Sequence, residues 1–379
     1  MIGIITFHGS HNHGSVLQTY ATQQAIKQLG FQTEIINFRM KSQKQYYALY
    51  QTKYGVMRFI RNLLLLPVHG ARKKRFTKFE KFINTFYQLS GQELSTYEEL
   101  KSIAEKYDVY LAGSDQIWSN LIPEFKGSRI DYTDVYFLSF TSKKKVSYAS
   151  SIGEISEEDL NKKKELLKRF SYITTREAAG AEKLSTIVEH PVETVLDPTF
   201  LLTKQDWKKL ESKKDLVKGE YILLYTLKGI RPGIQWGKHL ALLGKKLGMK
   251  VVCVSPFFPI MYPGVENLIN VGPRDFLNLI SHAQLVFTDS FHGTAFSINY
   301  NKPFYSLNIH GSRDARKTGI ISMVGLEDRI LTSFEQIEQI QEYNLDYSKA
   351  KIILNEKRKE SFSILKSMLQ SECNGEKKE

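Results

Sequence analysis

A chain of 379 residues with 42% hydrophobic and 25% charged content can bury a sizeable core, and at ~100–200 residues per domain it is expected to hold two domains. No apolar run approaches the ~20 residues that cross a bilayer, residues 63–68 being the strongest and far too short. Two cysteines, Cys253 and Cys373, are too few for a disulfide framework or a zinc site, and the net charge of +13 is concentrated: between Arg39 and Lys81 twelve Lys and Arg residues face the single acid Glu80, a local excess of +11.

The amino terminus lacks a basic n-region and a small-residue cleavage site, so residues 2–7 are expected to be a first strand of a cytoplasmic protein rather than a signal peptide. The loop 9–14 then leads into a helix from Ser15, where Val16, Leu17, Tyr20, Ala21, Gln24, Ala25, Ile26 and Leu29 keep a helical period until Gly30 ends it. Residues 33–38 make a second strand. This βαβ opening has a glycine-containing turn whose backbone can approach a charged ligand, but neither the Gly-x-Gly-x-x-Gly spacing nor a Walker lysine. His8, His11 and His13 share that loop with no carboxylate or cysteine close by in sequence, so no metal site is expected.

The basic segment 39–87 is interleaved with aromatics, among them Tyr46, Tyr47, Tyr50, Tyr54, Phe59, Phe76, Phe79, Phe82 and Phe86. One reading is a solvated helical face, with Phe76, Phe79, Phe82, Ile83 and Phe86 at helical spacing in the core. The other is a surface that lies on anionic lipid; a nucleic-acid partner is not expected. A helix at 97–106 and a strand at 109–112 follow. Beyond that strand, Asp115 could orient a sugar hydroxyl or act as a base and Trp118 could stack on a sugar ring; alternatively Asp115 caps a helix and Trp118 fills the core. Residues 145–150 and 172–175 read as strands, with a helix at 156–170 between them that opens on the capping-box residues Ser156 and Asp159. Arg176 comes directly after a strand, where a guanidinium either reaches a phosphate or carboxylate in a cleft or pairs with Glu177 or Asp197. Residues 204–218 read as a linker.

The second half repeats the alternation, with strands at 221–225, 250–255, 284–288 and 304–307 and helices at 236–247 and 273–283. Ser290 to Gly293 reads as a tight turn after the third of these strands, and Thr294 begins a helix that Lys302-Pro303 stops. A histidine at such a turn stands where open α/β sheets place ligands, beside free N–H groups of a helix start that favour an anion. His292 is therefore a candidate for proton transfer, or else simply satisfies the turn. The loop 310–317 carries Arg313, Arg316 and Lys317, one of which is expected to reach the cleft. A basic amphipathic helix at 346–369 and a polar, disordered tail at 371–379 complete the chain. The alternation predicts an α/β fold of two doubly wound, Rossmann-like parallel sheets facing a cleft, with domains at 1–205 and 219–345 and the helix 346–370 apart from them.

Six blocks, in order, resemble the polysaccharide pyruvyl transferase family. Asn12-His13-Gly14-Ser15-Val16-Leu17-Gln18 resembles its opening Asn-x-Gly-x-x-Leu-Gln loop, and Gly113-Ser114-Asp115-Gln116-Ile117-Trp118 its Gly-Ser-Asp-Gln-x-Trp block. Ser147 to Gly153, Thr175-Arg176-Glu177 and Leu196-Asp197-Pro198-Thr199 fall between, and Ser290-Phe291-His292-Gly293 is similar to its Ser-Phe-His-Gly block. Many relatives read Arg-x-His-Gly there, so this chain lacks one cation that must be made up elsewhere.

The resemblance implies transfer of a pyruvyl group from phosphoenolpyruvate, without a cofactor or metal, to a hexose of a cell-surface polysaccharide or its precursor, free or lipid-linked. The product would be a pyruvyl ketal, made in the cytoplasm or at the inner face of the plasma membrane. It implies a two-domain arrangement like that of the GT-B glycosyltransferases. His292 takes the place of the motif acid and Arg176 that of the donor-binding arginine. One of Arg313, Arg316 and Lys317 matches the downstream cation, while Ser290, Gly293 and Thr294 form the turn whose backbone would bind phosphate. Asn12, Gln18, Asp115 and Trp118 match blocks with structural or acceptor-side roles. Two rivals are a nucleotide-sugar glycosyltransferase of the same architecture and a non-catalytic scaffold that binds membranes or polyanions.

Overall fold

The structure of the protein is a computed structural model that describes residues 1–50, 60, 62–125, 132–153, 155–256, 258–308 and 315–374. Short apolar runs form its strands: β1 (Ile2–Ile5) and β3 (Val109–Ala112) are buried at every position, as a parallel sheet covered on both faces requires. With β2 (Thr33–Ile35), β4 (Lys144–Ser150), β5 (Tyr172–Thr175) and β6 (Glu193–Thr194) they make a six-stranded parallel sheet in the order β2-β1-β3-β4-β5-β6. A second parallel sheet follows from β7 (Tyr221–Tyr225), β8 (Lys250–Val254), β9 (Val265–Asn267), β10 (Leu285–Thr288), β11 (Phe304–Leu307) and β12 (Ile330–Leu331), in the order β12-β11-β10-β7-β8-β9. The strand order reverses between β1 and β3 in the first sheet and between β7 and β10 in the second. At such reversals the loops on the carboxyl edge diverge and leave room for a ligand.

The helices that carry the site are α1 (His13–Gln28), α2 (His69–Phe86), α3 (Pro273–His282), α4 (Phe291–Tyr300), α5 (Ala315–Met323) and α6 (Ser348–Asn374). One apolar core continues from the first sheet into the second through α1, α2 and α3. His13 bridges it, its ring 5.0 Å from Phe79 and stacked at 4.8 Å on Phe276, so at this point the carboxyl edges meet in a packed seam.

Several elements differ from the sequence expectation for local reasons. Helix α4 starts at Phe291, three residues before Thr294, because Ser290 is its N-cap. The helix expected at 97–106 is Tyr97–Lys101, opened by a Thr96/Glu99 capping box, and that expected at 156–170 breaks into Glu157–Asn161 and Lys164–Leu167. The stretch read as a linker contains the helix Lys204–Leu210, capped by Thr203 and Asp206, with Trp207 fully buried and its indole donating to the Thr199 carbonyl at 3.0 Å. Helix α6 runs through Asn374, so the tail expected to be disordered from 371 is helical for its first four residues. It also returns to the first domain: Ser361 Oγ accepts from Leu196 N–H at 3.0 Å, and Arg358 Nε donates to the Phe200 carbonyl at 2.6 Å. Helix α2 buries Phe79, Phe82 and Ile83, which is the core-stripe reading of the basic segment. Lys53, Tyr54, Arg58, Phe59, Arg61, Arg313 and residues 375–379 lie outside the described residues. Among the described residues no helix is long and apolar enough to cross a membrane.

Candidate active site

Five strand ends deliver the side chains that meet at the seam. After β1, Asn12 caps α1 through its own side chain, which accepts from Gly14 N–H at 2.9 Å. The first turn of α1 presents Ser15, whose hydroxyl donates to Asp115 Oδ2 at 2.6 Å. Asp115 follows β3 in the left-handed region, with φ of 78°, a conformation that a non-glycine residue keeps only when its surroundings hold it. After β5, Arg176 donates through Nη1 to Asp197 Oδ2 at 2.6 Å and through Nη2 to Asp115 Oδ1 at 3.3 Å, and its Nε lies 3.9 Å from the Glu177 carboxylate. Beyond β6, Asp197 caps the short helix Pro198–Leu201, accepting from Thr199 N–H at 3.0 Å and Thr199 Oγ1 at 2.7 Å. From the second sheet, β10 delivers His292, whose Nε2 stands 3.8 Å from Asp197 Oδ2.

The close approach depends on Gly14. A Cβ there would fall 2.2 Å from His292 Nδ1, so only glycine lets the imidazole lie against the start of α1. His292 is 7% exposed, and its Nε2 has no hydrogen-bond partner among the described residues. Phe291 flanks it, its ring 4.6 Å from the Arg176 guanidinium and 5.9 Å from that of Arg316.

Three carboxylates thus surround one buried guanidinium. Burial works to raise Asp115, but Arg176, His292 and the Ser15 hydroxyl hold its carboxyl down at about 2. Burial likewise opposes ionisation of Asp197, and His292, Arg176 and Thr199 overcome it, keeping that pKa below the usual carboxylate value. For Glu177 burial prevails and the pKa rises. Burial also prevails at His292, lowering its pKa against the pull of Asp197 and Asp115.

The other residues singled out in the sequence take varied places. Arg316 is the downstream cation that faces the cluster, acting electrostatically on His292 and Glu177. Lys317 instead turns into its own domain, Nζ donating to the Leu307 carbonyl at 2.9 Å, which corrects its candidacy for the cleft. Trp118 is fully buried, stacked on Phe137 at 5.2 Å with its indole donating to the Tyr136 carbonyl; stacking on a sugar is therefore corrected to a core role. Gln18 is also fully buried, donating to Thr6 Oγ1 at 2.9 Å, and does not reach the cluster. Gly293 N–H donates to Ser290 Oγ at 3.4 Å and Thr294 N–H to the Ser290 carbonyl at 3.0 Å, so the two donors expected to take a phosphate are satisfied within the turn. Gly293 is needed for room instead, since a Cβ would fall 2.3 Å from Thr288 Oγ1. The three loop histidines turn to different partners, His8 to Asn37, His11 to Glu80 and His13 to the Val271 carbonyl. Sequence reasoning gave no site role to Gly14, Ser15 or Asp197. Asp197 was legible only as a partner for Arg176, and nothing around it signals an approach to a histidine 95 positions later.

Cavities lie on both sides of the cluster. One of about 540 Å³ lies between the domains, lined by His11, Asn12, Arg72 and Arg75 from one side and Leu227 and Ser255 from the other. A second, of about 510 Å³, is bounded by Arg176, Asp197, Phe291 and the α6 residues Lys357 and Ser361. A third, of about 300 Å³, opens beside Gln116, Glu177, Lys183 and Arg316.

Among solved structures the chain is similar to a UDP-N-acetylglucosamine 2-epimerase from Rickettsia bellii, with a TM-score of 0.57 at 11% identity over 98% of this chain and 95% of that one. It is similar also to the Methanocaldococcus jannaschii UDP-GlcNAc 2-epimerase in complex with UDP-GlcNAc and UDP, with a TM-score of 0.52 at 13% identity over 98% and 99%. A third likeness is to Arabidopsis thaliana UGT89C1 complexed with UDP-L-rhamnose, with a TM-score of 0.50 at 11% identity over 96% and 93%. At these identities the likeness shows the fold alone, which is the GT-B arrangement of two facing parallel sheets. No curated protein matches the chain. A family model described as polysaccharide pyruvyl transferase matches residues 12–311, the bulk of the chain and the span from the Asn12 cap past the His292 turn, and the protein therefore belongs to the polysaccharide pyruvyl transferase family.

Proposed function

We propose that the protein transfers the pyruvyl group of phosphoenolpyruvate to two hydroxyls of a hexose, in a surface polysaccharide or its lipid-linked precursor, forming a cyclic ketal and releasing phosphate. The observation that carries this reading is the unpartnered Nε2 of His292, held 3.8 Å from Asp197 beside Arg176 where two sheet edges meet. In its protonated form His292 gives the proton to the donor's methylene carbon, which becomes a methyl group. The neighbouring carbon gains positive character and a sugar hydroxyl adds to it. Asp115 and Asp197, both kept ionised, stabilise that positive charge and the imidazolium before it reacts. Phosphate then leaves and the second hydroxyl closes the ring. Of the two hydroxyl protons lost, one replaces the proton now on the methyl group and the other departs with phosphate.

The donor carries about three negative charges near neutral pH, and its charge is what raises the depressed pKa of His292 into a useful range. Arg176 and Arg316 are the described cations whose charge acts on the imidazole, and they can meet those charges. The protein is proposed to work in the cytoplasm, at the membrane face when the acceptor is lipid-linked. The test is phosphate release from phosphoenolpyruvate that requires a saccharide acceptor and vanishes in His292→Asn. Consumption of a nucleotide sugar with phosphoenolpyruvate untouched would replace this reading with the glycosyltransferase one.

A further inference from the structure

The cavity of about 540 Å³ between the domains has features that donor chemistry does not use. Arg72 and Arg75 of α2 both line it. Arg72 donates to the Leu49 carbonyl at 2.8 Å, and Arg75 donates to the His11 carbonyl at 2.6 Å while lying 4.8 Å over the Phe79 ring. Among the described residues neither has a carboxylate partner. Neighbouring cations do: Arg39 Nη1 lies 3.0 Å from both Glu80 oxygens, and Lys78, three residues after Arg75 on the same helix, reaches Asp275 at 2.6 Å. Burial, with a contribution from Arg72, lowers Arg75 to about 10, as expected of a cation taken from water without a counter-ion.

The wall beside the arginines is apolar. Ile60, Leu64, Leu65 and Val68 line the cavity, yet Ile60 is 43% and Leu64 67% exposed, and the adjoining Leu63 and Leu66 are 57% and 48% exposed. Apolar side chains left in water beside two uncompensated arginines match a ligand that is anionic at one point and greasy next to it. Asn12, on the same wall, is two residues from the Gly14 on which His292 packs.

We propose that Arg72 and Arg75 form a diphosphate subsite for an acceptor carried on an apolar chain, with Ile60, Leu63, Leu64 and Leu66 bordering the first units of that chain. The acceptor role rests on the transferase reading above; the binding site does not. Calorimetric titration of the full-length protein with farnesyl diphosphate, inorganic diphosphate, farnesol and UDP tests it. Farnesyl diphosphate is expected to bind at least tenfold more tightly than inorganic diphosphate or UDP, and farnesol not to bind measurably. Arg75→Gln should weaken farnesyl diphosphate by about ten- to hundredfold, the worth of a charge-assisted contact, while Arg75→Lys keeps most of the affinity and separates loss of charge from loss of fold. Leu64→Ser should weaken farnesyl diphosphate and leave inorganic diphosphate unchanged. Tighter Arg75-dependent binding of UDP, or affinity for farnesyl diphosphate indifferent to Arg75→Gln, overturns the proposal. The transferase reading fails separately: intact protein that binds farnesyl diphosphate through Arg75 but releases no phosphate from phosphoenolpyruvate keeps the subsite and loses the reaction.

Discussion

The two arginines Arg176 and Arg75 are both drawn into the seam between the sheets, yet their surroundings are opposite. Arg176 has three carboxylates within 3.9 Å, whereas Arg75 has, among the described residues, a carbonyl and an aromatic ring and no carboxylate. A compensated guanidinium is part of the framework: it fixes Asp115 and Asp197 and so fixes the field at His292. An uncompensated one stores unmet attraction for an anion. Arg176 can therefore grip a donor only by sharing or releasing a carboxylate, while Arg75 needs to give up nothing.

The sharpest test of that contrast is a pair of isosteric changes. Arg176→Met leaves three buried acids without their cation and should cost about 3–5 kcal/mol in urea unfolding, with loss of phosphate release. Arg75→Met removes a charge that nothing compensates and should change stability by less than about 1 kcal/mol, or raise it. Equal losses in the two variants would erase the distinction.

Next in size is His292→Asn, which should lower kcat/KM for acceptor-dependent phosphate release by about 10²–10⁴ while leaving the unfolding midpoint nearly unchanged. In the wild type, burial depresses the free-enzyme pKa, so kcat/KM should fall as pH rises through a value below the ordinary 6.5. The donor's negative charge raises that pKa in the complex, so the same limb in kcat should lie at higher pH. Coincident limbs would mean that the donor does not sit beside the imidazole. Gly14→Ala follows. With a Cβ 2.2 Å from His292 Nδ1, either the ring or α1 must move, and overpacking of this kind costs about 1–3 kcal/mol, measurable as a lower melting temperature together with reduced turnover.

How much of this could be read from sequence divides along the same seam. The interior strands were legible because they are short apolar runs ended by polar turns, and Asp115, Arg176 and His292, which follow strands, come from that pattern; the edge strands β6, β9 and β12 were not read, being too short or too polar to stand out. What depends on one domain approaching the other was not. Asp197 reads as a partner for Arg176, and its second role needs the 3.8 Å contact with His292. The choice between Arg316 and Lys317 turns on helical phase: they are neighbours in α5, about 100° apart around its axis, and the sequence read that stretch as loop. Trp118 carries no periodic signal that separates a core indole from a sugar platform. Helix α6 gave its period but not the first-domain surface it covers. The excess charge of the basic segment was legible as a total, but its division into paired cations, such as Arg39 and Lys78, and unpaired ones depends on acids up to 197 positions away.

The smallest effect probes the two regions together through His13, which lies between them. Its Nε2 donates to the Val271 carbonyl of the second domain at 3.1 Å, its Nδ1 has no partner among the described residues, and burial together with the charge of Arg75 lowers its pKa to about 3. A folded pKa below the unfolded value of about 6.5 means that the unfolded chain binds the extra proton first, so stability is full above 6.5 and falls as pH drops toward 3. From pH 6.5 to 5.5 this one ring should cost about 1 kcal/mol, with His8, lowered to about 4 chiefly by burial, adding a similar slope. His13→Gln should therefore flatten the dependence of unfolding free energy on pH by roughly the share of one histidine. Because the charge of Arg75 adds to burial in holding His13 neutral, an anion bound at Arg75 should raise that pKa and flatten the same slope in the wild type. If diphosphate with an apolar chain leaves the slope unchanged while Arg75→Gln alters it, the anion is binding elsewhere and the arginine's unmet charge is a property of the fold alone.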